Sequence, residues 1–252
     1  MSKAKKELKI KTKNSDSIDI TVPGVKPALG HLHPLTLVRR RIEEIFGQMG
    51  FSIVEGPEME TEWYNFDALN IPKNHPARDL WDTFYLASGL LLRTHTSPVQ
   101  IRYMEKNQPP LRIIAPGRIF RHEATDVSHE FNFHQVEGLM VDKTVSVANF
   151  KAIIQEFLKE FFGKDMEIRL RPSYFPFVEP GFEIDMKWED GWLEMMGAGM
   201  VHPNVLKNAG LNPKEWQGFA FGMGMDRLAM IKYKIDDIRL FNSGDLRFLN
   251  QF

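Results

Sequence analysis

The 252-residue chain contains no cysteine. That excludes disulfide bridges, thiolate zinc sites, iron–sulfur ligation and a cysteine nucleophile. A reducing compartment, the cytoplasm, is the natural setting for such a chain. Long apolar runs are also missing: none approaches the ~18 residues of a membrane-spanning helix. The start, Met1 to Lys13, is lysine-rich and lacks the apolar stretch of a signal peptide. Net charge is almost absent, with 32 Lys+Arg against 33 Asp+Glu. A balanced sum does not announce a nucleic-acid partner, since a basic patch can hide inside it. There is no Gly-x-x-x-x-Gly-Lys-Ser/Thr phosphate loop, no Gly-x-Ser-x-Gly elbow and no His-Glu-x-x-His zinc motif. The length suits one large domain or two small ones and is enough for a core without covalent staples.

What is present is unevenly distributed. Lys3, Lys5, Lys6, Lys9, Lys11 and Lys13 crowd residues 1–17, which read as a solvated flexible tail or as an arm that contacts phosphates. Two amphipathic helices follow from spacing. Leu35, Val38, Ile42, Ile45, Phe46 and Met49 form one stripe, stopped by Gly50. Val147, Phe150, Ile154, Phe157, Leu158 and Phe161 form the other, capped by Thr144 or Ser146 and ended at Gly163. Short strands are expected at 51–54, 111–115, 118–121, 135–141, 167–171, 182–188, 192–196 and 219–221, with Pro116-Gly117 and Asp190-Gly191 as hairpin turns. Strands in series with flanking helices, without βα alternation, argue for an α+β fold with a mostly antiparallel sheet, in one domain over 18–252.

Two segments carry polar residues that a core does not explain. In the first, antiparallel pairing of 118–123 with 135–141 makes the loop between them a hairpin tip. Arg121 and Glu123 then share one strand face, and Gln135 and Glu137 share another. One exposed salt bridge would account for a single pair; a cation with two carboxylates on one sheet surface calls for ligands or pairing. In the second, Gly218-Phe-Ala-Phe-Gly222-Met-Gly224-Met-Asp226-Arg227, glycines lead from a strand into an amphipathic helix. Small residues there let a ligand approach the backbone. Arg227 on the first helical turn faces outward at an anion, and two separated arginines suit an extended polyphosphate. His31 and His33 would face opposite sides of a strand, which favours packing over metal binding. His122, His129 and His134 cluster without the carboxylates that would complete a metal site.

These segments, with others, resemble a class II aminoacyl-tRNA synthetase, and within it the catalytic module of the bacterial phenylalanyl-tRNA synthetase α-subunit family. The match runs from about Ile18 to Phe252. It is carried by Gly30-His-Leu-His-Pro34, Phe66-Asp-Ala-Leu-Asn70, His75-Pro-Ala-Arg-Asp79, Trp81-Asp-Thr-Phe84, Arg93-Thr-His-Thr-Ser-Pro98, Tyr174-Phe-Pro-Phe-Val-Glu-Pro180 and Gly197-Ala-Gly-Met-Val-His-Pro203. The helix from Leu35 with the strand to Pro57 resembles motif 1, a subunit interface. Phe120-Arg-His-Glu123 with His129 and Phe133 resembles motif 2, and Gly222 to Arg227 resembles motif 3.

The resemblance implies a two-step reaction. Phenylalanine attacks the α-phosphate of ATP to give phenylalanyl-adenylate and pyrophosphate, and the acyl group then passes to tRNA(Phe). The substrate supplies the nucleophile, so alignment and charge stabilisation suffice. By resemblance, Arg121 holds the α-phosphate, Arg227 the γ-phosphate, and His129 touches the phosphates. Phe133 stacks on adenine while Glu123 reads its amino group, and Mg2+ bridges the phosphates with Glu194 as its protein ligand. Ser97, Gln135 and Glu137 take the ammonium group of phenylalanine, and His95 and Trp81 close around its head. Phe175 and Phe177 meet its ring edge-to-face, and Val178, Ala220 and Gly222 line the far end.

An apolar pocket rejects an added hydroxyl by only about 10². Tyrosine therefore calls for editing elsewhere, which the resemblance assigns to a larger β subunit in an (αβ)₂ heterotetramer. Family α subunits begin with a helical hairpin that reaches the tRNA, where this sequence has only its lysine-rich lead. A non-catalytic paralogue, or one that charges another acceptor, is the alternative. Asp226 stands where Glu is commoner, and 84–90 reads as a shortened hairpin.

Overall fold

The computed structural model describes Thr21, Pro23, Gly24, Lys26 and residues 29–252. The expected lysine tail, residues 1–17, and the domain boundary at Ile18 lie outside the described residues. Internal contacts separate residues 1–31 from a body formed by 32–252, and the elements below belong to that body.

Helix α1 (Pro34–Gln48) opens with proline at its first position and with the His33 side chain accepting the Leu35 N–H at 3.2 Å. The other ring nitrogen of His33 lies 2.9 Å from the Phe241 carbonyl, so this histidine is a cap and a packing group. Strands β1 (Ser52–Ile53) and β2 (Met59–Glu60), helix α2 (Glu62–Asn65), strand β3 (Leu91–Leu92) and helix α3 (Pro98–Met104) follow. The hairpin of β4 (Leu111–Phe120) and β5 (Asn132–Asp142) leads to α4 (Val147–Phe162), then to β6 (Ile168–Phe175), β7 (Val178–Trp188) and β8 (Gly191–Val201). Helix α5 (Pro203–Asn208), β9 (Gln217–Gly224), α6 (Met225–Tyr233) and α7 (Leu246–Leu249) complete the body.

Seven strands form one sheet in the order β1-β4-β5-β9-β8-β7-β6. Only β1 with β4 is parallel; every other neighbour is antiparallel. Alternation along the strands gives each face its own core. Val136, Met140, Phe219, Phe221 and Met223 turn toward α1, α4 and α6, where they bury Phe46, Phe157 and Leu228. Leu139, Val141, Val178, Val201 and Ala220 turn to the opposite face, beneath α3, α5 and the 3-10 turn Asp67–Leu69. The expected α+β sheet flanked by helices is thus present, and α4 has its expected caps. Ser146 and Asn149 form a reciprocal capping box, and Gly163 takes the left-handed conformation at φ +70°.

The expected turn at Pro116-Gly117 is absent. Residues 111–120 are one unbroken strand, with Pro116 opposite Val136 and Gly117 opposite Gln135. Gly117 is there because a Cβ would lie 2.2 Å from Nη2 of Arg93. That guanidinium is buried and donates to the carbonyls of Gly56 and Arg118. The β7–β8 hairpin does form, its two-residue loop being Glu189-Asp190, with Glu189 at positive φ. The strand expected at 51–54 shortens to Ser52–Ile53, whereas β6, β7 and β8 run beyond their expected ends because they continue across the ligand-facing part of the sheet.

Candidate active site

Two cavities, each of about 230 Å³, share one wall residue, Arg121, and the first opens on the α3/α5 face of the sheet. The first is lined by Trp81, His95, Ser97, Gln135, Glu137, Phe175, Phe177, Val178, Ala220 and Gly222, all ten residues assigned from sequence to the amino-acid subsite. The second is lined by Arg121, Glu123, His129, Phe133 and Arg227, the five assigned to the nucleotide.

Strand geometry explains the gathering. Gln135 and Glu137 lie two apart on β5 and so point the same way. Register sets Glu137 beside Gly222 and Leu139 beside Ala220 on β9. The end of β6 supplies Phe175 and the turn into β7 supplies Phe177; their rings lie 5.9 Å apart at an interplanar angle of 24°. Ser97 stands at the start of α3. Trp81, at the end of a 3-10 turn, meets His95 edge-on at 4.5 Å and Phe177 at 5.9 Å.

The polar end of the first cavity is strongly desolvated. Glu137 is buried and accepts from the Thr96 N–H at 2.9 Å, Ser97 Oγ at 2.5 Å and Gln100 Nε2 at 2.9 Å. Burial pushes its carboxyl above the usual range, opposed by the Ser97 and Thr96 hydrogen bonds. His95 is buried with neither ring nitrogen partnered. Burial, with the nearby Arg121 charge, pulls its pKa down to about 3, so the ring is neutral at physiological pH. Gln135 Oε1 is likewise buried without a partner. Unpaired buried polar atoms are costly and rare; the His95 ring, with one donor and one acceptor nitrogen, and Gln135 Oε1 belong to residues lining one cavity, which suits a polar ligand.

In the second cavity, Arg121 donates from Nε to the Thr94 carbonyl at 3.1 Å, lies 3.8 Å from Glu123 and sits 5.2 Å over the Phe133 ring. The chain leaves β4 at Phe120, so Arg121 and Glu123 stand on the hairpin loop and not on a strand face as the alternation implied. Arg227 is exposed and donates to the Glu194 carbonyl at 2.9 Å. His129 is on the loop, with Nδ1 held by Asp126 at 3.0 Å.

Among the described residues no group of three or more His, Asp or Glu side chains could cage a metal. The Glu194 side chain is 55% exposed and lies 3.6 Å from Arg171. Its carbonyl meets Arg227, but it does not line either cavity. Sequence reasoning missed Gln100, Leu69, Gly197, Val201 and Val205 in the first cavity and Asp226 in the second. Gln100 was recoverable in principle, three residues beyond Ser97 on the same helix; Leu69 and Val205 carry no local signal.

Comparisons with known proteins give the family and the fold. The model of the class II tRNA synthetase core domain (F) matches residues 17–252. The phenylalanine–tRNA ligase alpha subunit of Hahella chejuensis is 54% identical over 262 residues, spanning all of this chain and 79% of that one. The chain belongs to the phenylalanine–tRNA ligase alpha-subunit family. The Legionella pneumophila member is also 54% identical, over 94% of this chain and 74% of its own length. In fold, the family member described here is similar to pyrrolysyl-tRNA synthetase from Desulfitobacterium hafniense, with a TM-score of 0.67, 19% identity, and coverage of 86% of this chain and 75% of that one.

Proposed function

We propose that the chain activates L-phenylalanine with ATP and transfers it to tRNA(Phe), working with a phenylalanine–tRNA ligase beta subunit in the cytoplasm. The observation that carries the reading is the first cavity's polarity. A buried carboxylate, a neutral histidine and an unpaired amide oxygen stand at one end, and two phenylalanine rings and aliphatic side chains line the rest. A zwitterion with an aromatic side chain complements that arrangement. Its ammonium group completes the hydrogen bonding of Glu137 and Gln135, and its ring meets Phe175 and Phe177, each such aromatic pair contributing ~0.5–1.5 kcal/mol beyond burial.

The substrate carboxylate then lies toward Arg121, the residue common to both cavities. ATP in the second cavity stacks its adenine on Phe133, with Glu123 at the amino group. The α-phosphate meets Arg121 and the terminal phosphate meets Arg227. A carboxylate oxygen attacks the α-phosphorus in line and pyrophosphate departs. Arg121 neutralises charge at the reacting phosphate and Arg227 charge on the leaving group, while His129 flanks the phosphates. Mg2+ is commonly held by one or two carboxylates plus substrate phosphates; the Glu194 carboxylate lines neither cavity and would have to leave Arg171, 3.6 Å away, to join such an ion. That ion would supply charge neutralisation on the polyphosphate.

Phenylalanine-dependent exchange of pyrophosphate into ATP, measured with and without the beta subunit, tests the reading. Exchange with phenylalanine and not with other amino acids supports it. No exchange under either condition would favour the non-catalytic paralogue, and exchange without charging of tRNA(Phe) would favour another acceptor.

A further inference from the structure

Asp226 is a buried acid that the reaction as described does not use: only 3% of it is exposed, yet it lines the nucleotide cavity. Its Oδ2 accepts the main-chain N–H of His134 at 2.6 Å, across 92 residues of sequence. The register explains why a side chain is needed there. The β5–β9 ladder ends with Gln135 opposite Gly224, and at Met225 the chain turns into α6. One residue past the last rung, the His134 N–H has lost its strand partner, and the Asp226 carboxylate takes the place of the missing carbonyl. His134 stands between Phe133 and Gln135, and Asp226 adjoins Arg227.

Resting on the function proposed above, we infer that Asp226 is a positioning residue for the nucleotide. It holds the Phe133 end of β5 at a fixed distance from the first turn of α6, so that the adenine platform and Arg227 face each other across one cavity. The amino-acid subsite is held independently: Gln135 keeps its rungs to Gly117 and Gly224, and Glu137 its rungs to Ala115 and Gly222. Loss of the strap therefore loosens the nucleotide side alone.

The test measures exchange kinetics of Asp226→Ala, Asp226→Ser and Asp226→Asn in the assembly in which the native chain is active. Ala removes the acceptor, Ser is too short to reach His134, and the Asn amide oxygen can accept the same bond. The expected result is a KM for ATP raised at least fivefold in Ala and Ser, with the KM for phenylalanine within twofold of native, and near-native values for both in Asn. Equal rises in both KM values, unchanged values in Ala and Ser, a fivefold rise in Asn, or loss of folded protein in both Ala and Ser would each overturn the inference. Inactivity of the native chain would instead overturn the proposed function, so the two failures are distinct.

Discussion

Ser97 donates its hydroxyl proton to Glu137 across 2.5 Å, so the serine serves the carboxylate before it serves any ligand. With the Thr96 N–H and Gln100 it fixes a buried anion whose remaining capacity faces the cavity. An ammonium group entering there meets an acceptor already oriented, with little left to reorganise.

Replacing that anion tests the ammonium site. In Glu137→Gln the charge is lost, and one amide face presents hydrogens to the donors at Thr96, Ser97 and Gln100. Removing one partner of a buried charge pair costs roughly 2–5 kcal/mol. The expected outcome is a fall in kcat/KM for phenylalanine of about 30-fold or more in pyrophosphate exchange, with a smaller change in the KM for ATP.

Arg227 is exposed and, among the described residues, hydrogen-bonded to the Glu194 main-chain carbonyl, so its removal leaves the core intact. Arg227→Ala is expected to lower exchange by about 10³ or more, the range of arginine clamps in phosphoryl transfer. Thermal unfolding should stay within a degree or two of native. A large fall in Tm with modest loss of exchange would assign the residue to the scaffold.

On the proposed reading, the apolar end of the first cavity sets side-chain size. Ala220→Gly should admit p-chlorophenylalanine, read as at least a tenfold shift in its kcat/KM relative to phenylalanine. Gly197→Ala should do the reverse, because the added Cβ would lie 2.9 Å from the tip of Phe175 and push that ring inward. Unchanged selectivity in both would remove the ring from this cavity.

His95 links acid stability to the site. Its folded pKa of about 3 lies below the model-peptide value of 6.5. The unfolded chain therefore takes up this proton first as pH falls, and the native state loses stability between pH 6.5 and about 3. The slope is up to ~1.4 kcal/mol per pH unit. Glu137, shifted upward by burial, acts in the opposite sense once pH exceeds the unfolded carboxylate value. Urea unfolding at pH 7 and pH 5.5 should show a shallower acid loss in His95→Asn than in the native chain.

Gly117→Ala tests the mid-strand proline–glycine pair. The new methyl collides with the Arg93 guanidinium, which is held by three carbonyls and has no easy retreat. Overpacking of this kind costs about 1–3 kcal/mol, measurable as a lower urea midpoint at unchanged m-value.

Periodicity was enough to read α1 and α4, because a stripe of large apolar residues has one way to be buried. The same logic placed Gln135 and Glu137 together, since strand alternation is local. Pro116-Gly117 misled because the reason for its glycine is Arg93, more than twenty residues earlier in sequence. Leu69 and Val205 were invisible for a related reason: their place in the cavity follows from α5 packing over the 3-10 turn at Asp67–Leu69, a tertiary contact with no spacing signature. The motif 2 and motif 3 residues became legible through resemblance, and the lysine lead stays outside the described residues.

Arg121 has one hydrogen bond to a main-chain carbonyl and a wall in each cavity. A guanidinium so placed cannot be indifferent to which cavity is filled. An anionic group arriving on either side alters the field and the orientation that the other ligand meets. On the proposed reading the two substrates are thereby coupled thermodynamically, and reciprocity requires that whatever factor ATP applies to phenylalanine affinity, phenylalanine returns to ATP.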